Sequence, residues 1–257
     1  MAARILFFAY GVFAYALFLA TFLYAIAFIG GFAVPVTLDG PATTPFATAL
    51  LINAGLLAVF AIQHSVMARP WFKRWWTQVV PWAIERSTYV LFASLALDLL
   101  FWQWRPLGGV VWDVQQPALR AVIWTIFAYG WLQVLVMTFL IDHFDLFGLR
   151  QVWLHLIGRQ YTRVRFATPA PYRLVRHPLY LGFMIAFWAA PTMSVTRLVF
   201  AIATTAYMLI AIQFEEHDLV HEHGASYEQY RRTVPMILPG LRRPSDASGI
   251  SPTPASR

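Results

Sequence analysis

Six runs of apolar side chains divide the chain and constrain it to a membrane more strongly than any other feature. They cover about residues 5–30, 46–67, 87–104, 119–141, 179–194 and 197–214. A helix needs about 20 apolar residues to cross about 30 Å of hydrocarbon. The first four runs meet that length, whereas the last two are short and are separated only by residues 194–197. The pattern predicts an all-α, polytopic membrane protein with about six transmembrane helices, the last two forming a tight hairpin.

The composition supports this class and excludes several kinds of site. Hydrophobic residues make up 59% of the 257, and charged residues only 12%, about half of the usual share in soluble domains. The chain has no cysteine, which excludes disulfides, thiolate metal ligands and a protein thiol nucleophile. We expect one domain over residues 1–243, followed by a polar tail, 244–257, that is disordered because it has little to bury.

The basic residues cluster on one side of the predicted membrane. If the N-terminus is cytoplasmic, Arg105, Arg120 and Arg197 lie outside, and the other 16 of the 19 lysines and arginines lie inside. Positive charge favours the cytoplasmic side, so both termini are predicted to be cytoplasmic. The arginines flank apolar runs, a pattern typical of membrane topology, and nucleic acid is not an expected partner.

The same topology brings polar side chains from four helix ends to one membrane face. They are Gln63 and His64, Asp142 and His143, Arg176 and His177, and Glu215 and Glu216. Ionisable groups are costly within a bilayer and less so at its interface. Scattered solvated helix ends would therefore be tolerated, but eight polar residues at one level favour a shared pocket.

The stretch PYRLVRHPLYLGF, residues 171–183, places Arg176 and His177 at the mouth of the fifth apolar run. Pro178 suits the first turn of a helix, where a missing N–H costs nothing. The free N–H groups and positive dipole end there favour a carboxylate. The glutamate pair at the end of the sixth run could accept hydrogen bonds from a ribose or pair with a cation. S-adenosylmethionine carries such groups, although the residues alone do not single it out.

Two motifs in the second half resemble those of a membrane methyltransferase superfamily. YRLVRHPLYLG, followed by FEEHDLVHEHGASYEQYRRTVPMILPG, is similar to the motifs of isoprenylcysteine carboxyl methyltransferases and phospholipid N-methyltransferases. The resemblance implies S-adenosylmethionine as co-substrate, without a metal. The residues implied to bind it are Tyr172, Arg176, His177, Tyr180, Gly182, Glu215, Glu216, Tyr227 and Tyr230.

Three segments before residue 156 restrict the resemblance to one branch of this superfamily. QHSVMARPWFK at 63–73, ERSTYVL at 85–91 and HFDLFGLRQVWLH at 143–155 resemble the nurim-type branch, and within it the bacterial methanethiol S-methyltransferases. That likeness implies methylation of a small volatile thiol, methanethiol, to dimethyl sulfide, by a multi-pass protein of the bacterial inner membrane. The lipid bilayer is an expected partner, and no protein partner is implied.

A thiol acceptor requires a proton acceptor, because the thiolate is the nucleophile. We expect His143 to take the proton, with Asp145 orienting it. His64 is the competing candidate, and Arg150 could stabilise the thiolate instead.

Three alternatives remain open from the sequence. His217, His221 and His223 resemble part of a di-iron histidine box, although the other four histidines are scattered singly. A nurim-like protein without enzymatic activity is the second. The third is a methyltransferase with another acceptor, such as a prenylcysteine, a lipid or a different thiol.

Overall fold

The computed structural model describes residues 1–162 and 169–240, and most of this part of the chain is helical. The expected disordered tail, 244–257, and Arg163 and Arg165 of the charge pattern lie outside the described residues. The helices are α1 Ala2–Gly30, α2 Phe46–Ala68, α3 Pro70–Trp76, α4 Glu85–Gln103, α5 Pro117–Ile141, α6 His143–Leu146, α7 Leu149–Leu156, α8 Ala170–Leu174, α9 Pro178–Trp188, α10 Val195–His223 and α11 Ala225–Thr233, with a 3₁₀ turn at Trp82–Ile84. Two strands, β1 Val110–Asp113 and β2 Thr192–Ser194, complete the fold.

Four of the described helices, α1, α2, α5 and α10, are long and apolar enough to cross a membrane. Each contains an apolar segment of 18 residues with at most 2 charged residues, and most of the side chains in these segments are not buried inside the protein. Apolar surface that faces outward needs lipid around it, because water would make its exposure costly. A polytopic membrane protein is therefore the class that the structure supports.

The third and fifth apolar runs form helices that depart from regular membrane-spanning helices: one is less apolar and the other is shorter. Helix α4 has 19 residues and carries Asp98 in its interior, so it is less apolar than the other four. Helix α9 has 11 residues and is about 16 Å long, about half of the hydrocarbon thickness. It ends at Trp188 rather than near residue 194.

Helix α9 packs mainly against α5 rather than forming a close hairpin with α10. Gly130 of α5 and Gly182 of α9 face each other at this contact. A Cβ atom at Gly182 would lie 3.0 Å from the Gly130 carbonyl oxygen and 3.1 Å from the Val134 backbone nitrogen. Small residues permit such close approach of transmembrane helices. The predicted tight hairpin is replaced by a glycine-mediated pair of α5 and α9.

The loops on the predicted outer side are tied together by a small sheet, which the all-α prediction did not include. Strands β1 and β2 pair antiparallel, with Val110 opposite Ser194 and Asp113 opposite Thr192. Residues 195–197, expected in the hairpin turn, instead begin α10. Arg197 there forms an ion pair with Asp39. These contacts fix the outer ends of α9 and α10.

Aromatic side chains from several helices form the core. Phe28 of α1, Phe101 of α4, Trp131 of α5 and Phe200 of α10 are each at most 7% exposed and belong to one cluster. Ring contacts within it include Phe28 on Phe101, at 4.8 Å between centroids. Offset and edge-to-face ring pairs add to the burial energy. The core holds the helices together, so the polar side chains at their predicted inner ends occupy defined positions.

Candidate active site

Arg176, His177 and Glu216 form a buried cluster between the start of α9 and α10. Arg176 Nε donates to Glu216 Oε1 at 2.7 Å, and His177 Nε2 lies 3.0 Å from the same oxygen. The side chains are 10%, 4% and 7% exposed, respectively. Charge-assisted hydrogen bonds in such surroundings are strong. The structure thus brings together the Arg-His pair and the second glutamate, as the sequence predicts.

The backbone explains why Arg176 and His177 point toward α10. Helix α9 begins at Pro178 in its first turn, with His177 as its N-cap. The residue before a proline avoids the helical conformation, and His177 has φ −125° and ψ 62°. Val175, two residues earlier, is extended. Backbone hydrogen bonds join Arg176 N to Pro235 O at 2.9 Å and His177 N to Met236 O at 3.1 Å. The pair is therefore held against the chain that follows α11.

The Arg176 guanidinium also fastens the end of α11. Its Nη1 donates to the carbonyl oxygens of Arg231, at 2.8 Å, and Val234, at 2.6 Å. These carbonyls belong to the last turn of α11 and its C-cap, where four C=O groups lack helical partners. One buried arginine thus links α9, α10 and α11.

Glu215 and Glu216 lie within α10, seven residues or more before its last residue, His223. The prediction that they lie at a helix end was wrong, because α10 continues past both of them. Their side chains differ in exposure, 44% for Glu215 and 7% for Glu216, because successive residues face different sides of a helix. Glu215 lies 3.9 Å from His177 Nδ1 and interacts with the hydroxyl of Tyr180.

The three other tyrosines implied by the resemblance lie close to this cluster. The Tyr230 hydroxyl donates to the Tyr172 carbonyl oxygen at 2.6 Å, and the rings of Tyr227 and Tyr230 are 5.7 Å apart. Tyr227 is 1% exposed. Burial raises the pKa of Tyr230 to about 12 and raises the pKa of Tyr172 and Tyr227 as well. All three phenols are therefore neutral at physiological pH.

A cleft of about 360 Å³ opens beside Glu216. It is lined by Gln213, Glu216, His217, Val220, His221 and Arg231. The volume falls within the range of small-molecule sites. Both strong hydrogen bonds to Glu216 use Oε1, and its Oε2 lies 3.9 Å from Arg231, too far for a hydrogen bond. Glu216 Oε2 can therefore accept from a ligand, and Arg231 can pair with a ligand carboxylate.

Gly182 differs in its surroundings from the other residues that the resemblance implies to bind the co-substrate. It is buried in the α5–α9 contact, where backbone and Val134 surround it. The structure thus gives this glycine a packing environment between helices.

Asp145 belongs to a second polar cluster. Its carboxylate pairs with Arg86 and with Arg150, the latter at 3.1 Å. The Tyr161 hydroxyl donates to Asp145 Oδ2 at 2.9 Å. The guanidinium groups of Arg86 and Arg150 also lie over the Tyr161 ring, 5.3 and 5.2 Å from its centroid. Burial raises the pKa of Tyr161, so its hydroxyl remains a donor.

His143 is held by residues other than Asp145, which was expected to orient it. Its Nδ1 lies 2.8 Å from Thr138 Oγ1, and its Nε2 lies 2.9 Å from the Tyr15 hydroxyl. The ring stacks on Phe139 with centroids 4.2 Å apart and is 4% exposed. Burial lowers the pKa of His143, which keeps the imidazole neutral.

His64 lies near the C-terminal end of α2, its predicted inner end, and contacts α4. The Tyr89 hydroxyl is 2.9 Å from His64 Nδ1 and 3.0 Å from Nε2. The imidazole stacks on Phe60, one turn earlier, with centroids 5.2 Å apart. Arg69, one turn later, pairs with Asp218 of α10 at 2.9 Å.

Several residues that contact the predicted site residues lie in motifs already noted in the sequence, although the sequence did not indicate these contacts. ERSTYVL contains both Arg86 and Tyr89, and the Tyr-x-x-Tyr-x-x-x-Val-Pro run contains Arg231 and Val234. Tyr15 and Thr138 lie within apolar runs, and no local pattern marks them as partners of a histidine.

Comparison with known proteins relates nearly the whole chain to one group of enzymes. A methanethiol S-methyltransferase of Crocosphaera subtropica is 54% identical over 92% of this chain and 92% of its own length. One from Mycobacterium tuberculosis is 54% identical over 91% of this chain and 96% of its own. Nurim of Bos taurus is 31% identical over 66% of this chain and 68% of its own. No protein-family model matches the chain, and no solved structure matches it. On this similarity, the chain belongs to the methanethiol S-methyltransferase family.

Proposed function

We propose that this protein transfers the methyl group of S-adenosylmethionine to methanethiol, giving dimethyl sulfide and S-adenosylhomocysteine, at a membrane-embedded site that faces the cytosol. The observation that carries the proposal is the buried Arg176–His177–Glu216 cluster beside a cleft of ligand size. Relatives named methanethiol S-methyltransferase support the acceptor.

The side chains around the cleft fit the polar groups of the donor. Glu216 Oε2 would accept from a ribose hydroxyl or the ammonium group, and Arg231 would pair with the carboxylate. Glu215, partly exposed beside Tyr180, supplies a further negative charge for a cationic ligand. When bound, the donor supplies a methyl carbon made electrophilic by its positive sulfonium sulfur.

The protein's contribution is to position the two reactants and exclude water. His177 and Tyr180 lie at the start of α9, with ring centroids 5.7 Å apart, and each interacts with a glutamate of the pair. Correct alignment of reacting atoms is worth several orders of magnitude in rate. A site of low polarity also favours the reaction, because an anion and a cation form two less charged products.

The acceptor must lose a proton before it reacts. An alkyl thiol resembles cysteine, whose pKa is about 8.5, so most of it is protonated at neutral pH. A general base is worth roughly 10²–10⁴-fold, and His143 and His64 are the two candidates. Asp145 and Arg150 bind each other, and their role is to hold the segment that carries His143.

The membrane arrangement that we propose keeps both termini in the cytosol. Helices α4 and α9 would complete six membrane segments with α1, α2, α5 and α10. The inner ends of α2 and α5 and the start of α9 then lie on the cytosolic side, where S-adenosylmethionine is made available by metabolism.

Two measurements, one on purified protein and one on cells, test the function. Purified protein should bind S-adenosylhomocysteine in a thermal-shift assay, and cells that express it and are fed methanethiol should release dimethyl sulfide into the headspace. His177→Ala should lose binding and activity. His155→Ala provides a matched control, because His155 lies on α7 against Phe7. Full activity in His177→Ala would contradict the proposed donor site, and a wild-type protein that makes no dimethyl sulfide would contradict the acceptor.

A further inference from the structure

We infer that His64 is the base that deprotonates the thiol and that Tyr89 is the positioning residue that holds it beside the donor site. This inference rests on the proposed function and names the acceptor side of the same site. It follows from the contacts of the two candidate histidines and from the contacts that join the His64 end of α2 to α10, which carries Glu215 and Glu216.

His143 has no ring nitrogen available for a substrate. Thr138 and Tyr15 occupy Nδ1 and Nε2, respectively, and the ring is 4% exposed and stacked on Phe139. A base must come within hydrogen-bonding reach of the proton that it removes. His143 would first have to break one of these two hydrogen bonds inside a buried aromatic environment, which costs free energy.

His64 is held differently. A single hydroxyl, that of Tyr89, lies 2.9 and 3.0 Å from its two nitrogens. The Tyr89 hydroxyl can donate to the His64 backbone carbonyl oxygen, 3.4 Å away, while its oxygen accepts the ring N–H, which leaves the unprotonated ring nitrogen for the thiol. Stacking on Phe60 fixes the plane of the ring. The arrangement orients the imidazole and keeps one nitrogen available.

Tyrosines connect this histidine to the donor residues. Tyr180, which belongs to the Arg-His-Pro motif, interacts with Glu215 of α10. Tyr207 of α10 lies 3.1 Å, hydroxyl to hydroxyl, from Ser65, the neighbour of His64. Helix α10 therefore contacts both the donor residues and the segment of α2 that carries His64.

The charged and titratable groups around this region define its pH behaviour. Those near His64 and its partner Tyr89 are Arg69 at the C-cap of α2, Glu85 on α4, Tyr180 on α9, Tyr207 on α10 and Asp218, which pairs with Arg69. Arg69 is fixed by Asp218 and by the Ser65 carbonyl oxygen, at 3.2 Å. A positive charge held there favours the thiolate that forms when the proton leaves.

In the inferred reaction, the thiol proton passes to the unprotonated ring nitrogen of His64. The thiolate sulfur then bonds to the methyl carbon while the bond from that carbon to the sulfonium sulfur breaks and leaves its electron pair on that sulfur. Dimethyl sulfide and S-adenosylhomocysteine result, and protonated His64 releases its proton to solvent.

The test compares methanethiol with a more acidic small thiol, trifluoroethanethiol, which is more extensively ionised at the assay pH. His64→Gln should lower kcat/KM for methanethiol by roughly 10²–10⁴-fold and flatten the acidic limb of the pH–rate profile. Its loss with trifluoroethanethiol should be at least tenfold smaller. Tyr89→Phe, which removes one hydroxyl, should show the same pattern with a smaller loss. Tyr129→Phe, an exposed tyrosine of α5, is the control and should match the wild type.

Binding of S-adenosylhomocysteine separates this inference from the donor site. Both variants should bind it within about twofold of wild type, which also shows that they are folded. A Tyr89→Phe enzyme with wild-type kcat and pH profile would overturn the positioning role. His64 would be overturned as the base if His64→Gln lowered kcat/KM equally for the two thiols. It would also be overturned if His143→Gln, instead of His64→Gln, showed a much smaller loss with trifluoroethanethiol than with methanethiol. A wild-type protein that fails to bind S-adenosylhomocysteine would contradict the proposed function itself.

Discussion

Glu216→Gln is the substitution whose consequence follows most directly from the structure. The side chain is 7% exposed and its Oε1 receives both Arg176 Nε and His177 Nε2. Glutamine keeps a carbonyl oxygen in place of Oε1 but removes the negative charge. Arg176, 10% exposed, then remains buried without its carboxylate.

The expected loss of stability depends on the hydrogen bonds that Arg176 keeps after the substitution. Removing one partner of a buried ion pair costs about 3–5 kcal/mol. Arg176 keeps its hydrogen bonds to the carbonyl oxygens of Arg231 and Val234, and the glutamine oxygen can still accept, so we expect the lower end, about 3 kcal/mol. At about 2–4 °C per kcal/mol for a chain of this size, Tm should fall by about 6–12 °C.

The assay is thermal unfolding of detergent-purified protein, followed by fluorescence of its tryptophans. Glu228→Gln makes the same chemical change at an exposed residue of α11 and should alter stability by less than about 0.5 kcal/mol. A Glu216→Gln variant whose Tm lies within about 2 °C of the wild-type Tm, which is the size of effect expected of the control, would refute the buried ion pair as a stabilising element.

Three further substitutions or conditions test other parts of the structure. Gly182→Ala should destabilise the protein by about 1–3 kcal/mol in the same assay, because its Cβ would meet the backbone of α5. Gly55→Ala, where nothing lies within 4 Å, should be neutral or stabilising, and equal effects of the two would contradict the close contact. Asp145→Asn should lower Tm and increase proteolysis at Arg86 and Arg150, which lose their shared carboxylate; unchanged Tm and cleavage would count against this cluster. Burial lowers the pKa of His143, so the unfolded chain binds its proton more readily. Stability should therefore fall as pH drops below about 6.5, less steeply in His143→Gln, and identical pH slopes of Tm would contradict this.

Much of the candidate site could be predicted from the sequence because its signals are local. Arg176, His177 and Pro178 are consecutive, and proline favours a helix start at that position and keeps His177 out of the helical conformation. The glutamate pair lies at the end of an apolar run, so the topology alone placed it at the same membrane face. Their meeting in one cluster is what the structure adds to that expectation.

The partners of the other polar residues depended on contacts distant in sequence. Tyr15 and His143 are 128 residues apart, and no periodicity links them. Asp145 and His143 are neighbours, and sequence proximity suggested a pair, but two arginines and a tyrosine compete for the carboxylate. A charged partner offers more to a buried carboxylate than a neutral imidazole does, and the fold determines which charges are near.

The sequence by itself determined the membrane class, the helical content and the family motifs, because apolar run length and motif spacing are properties of the linear chain. Only the tertiary structure decided that α9 is short and packs on α5 through Gly130 and Gly182. It also decided that Tyr89 holds His64, whereas Thr138 and Tyr15 enclose His143. The physical reason is that close packing and hydrogen-bond direction depend on which helix faces meet, and those faces are set by the assembly of the whole bundle.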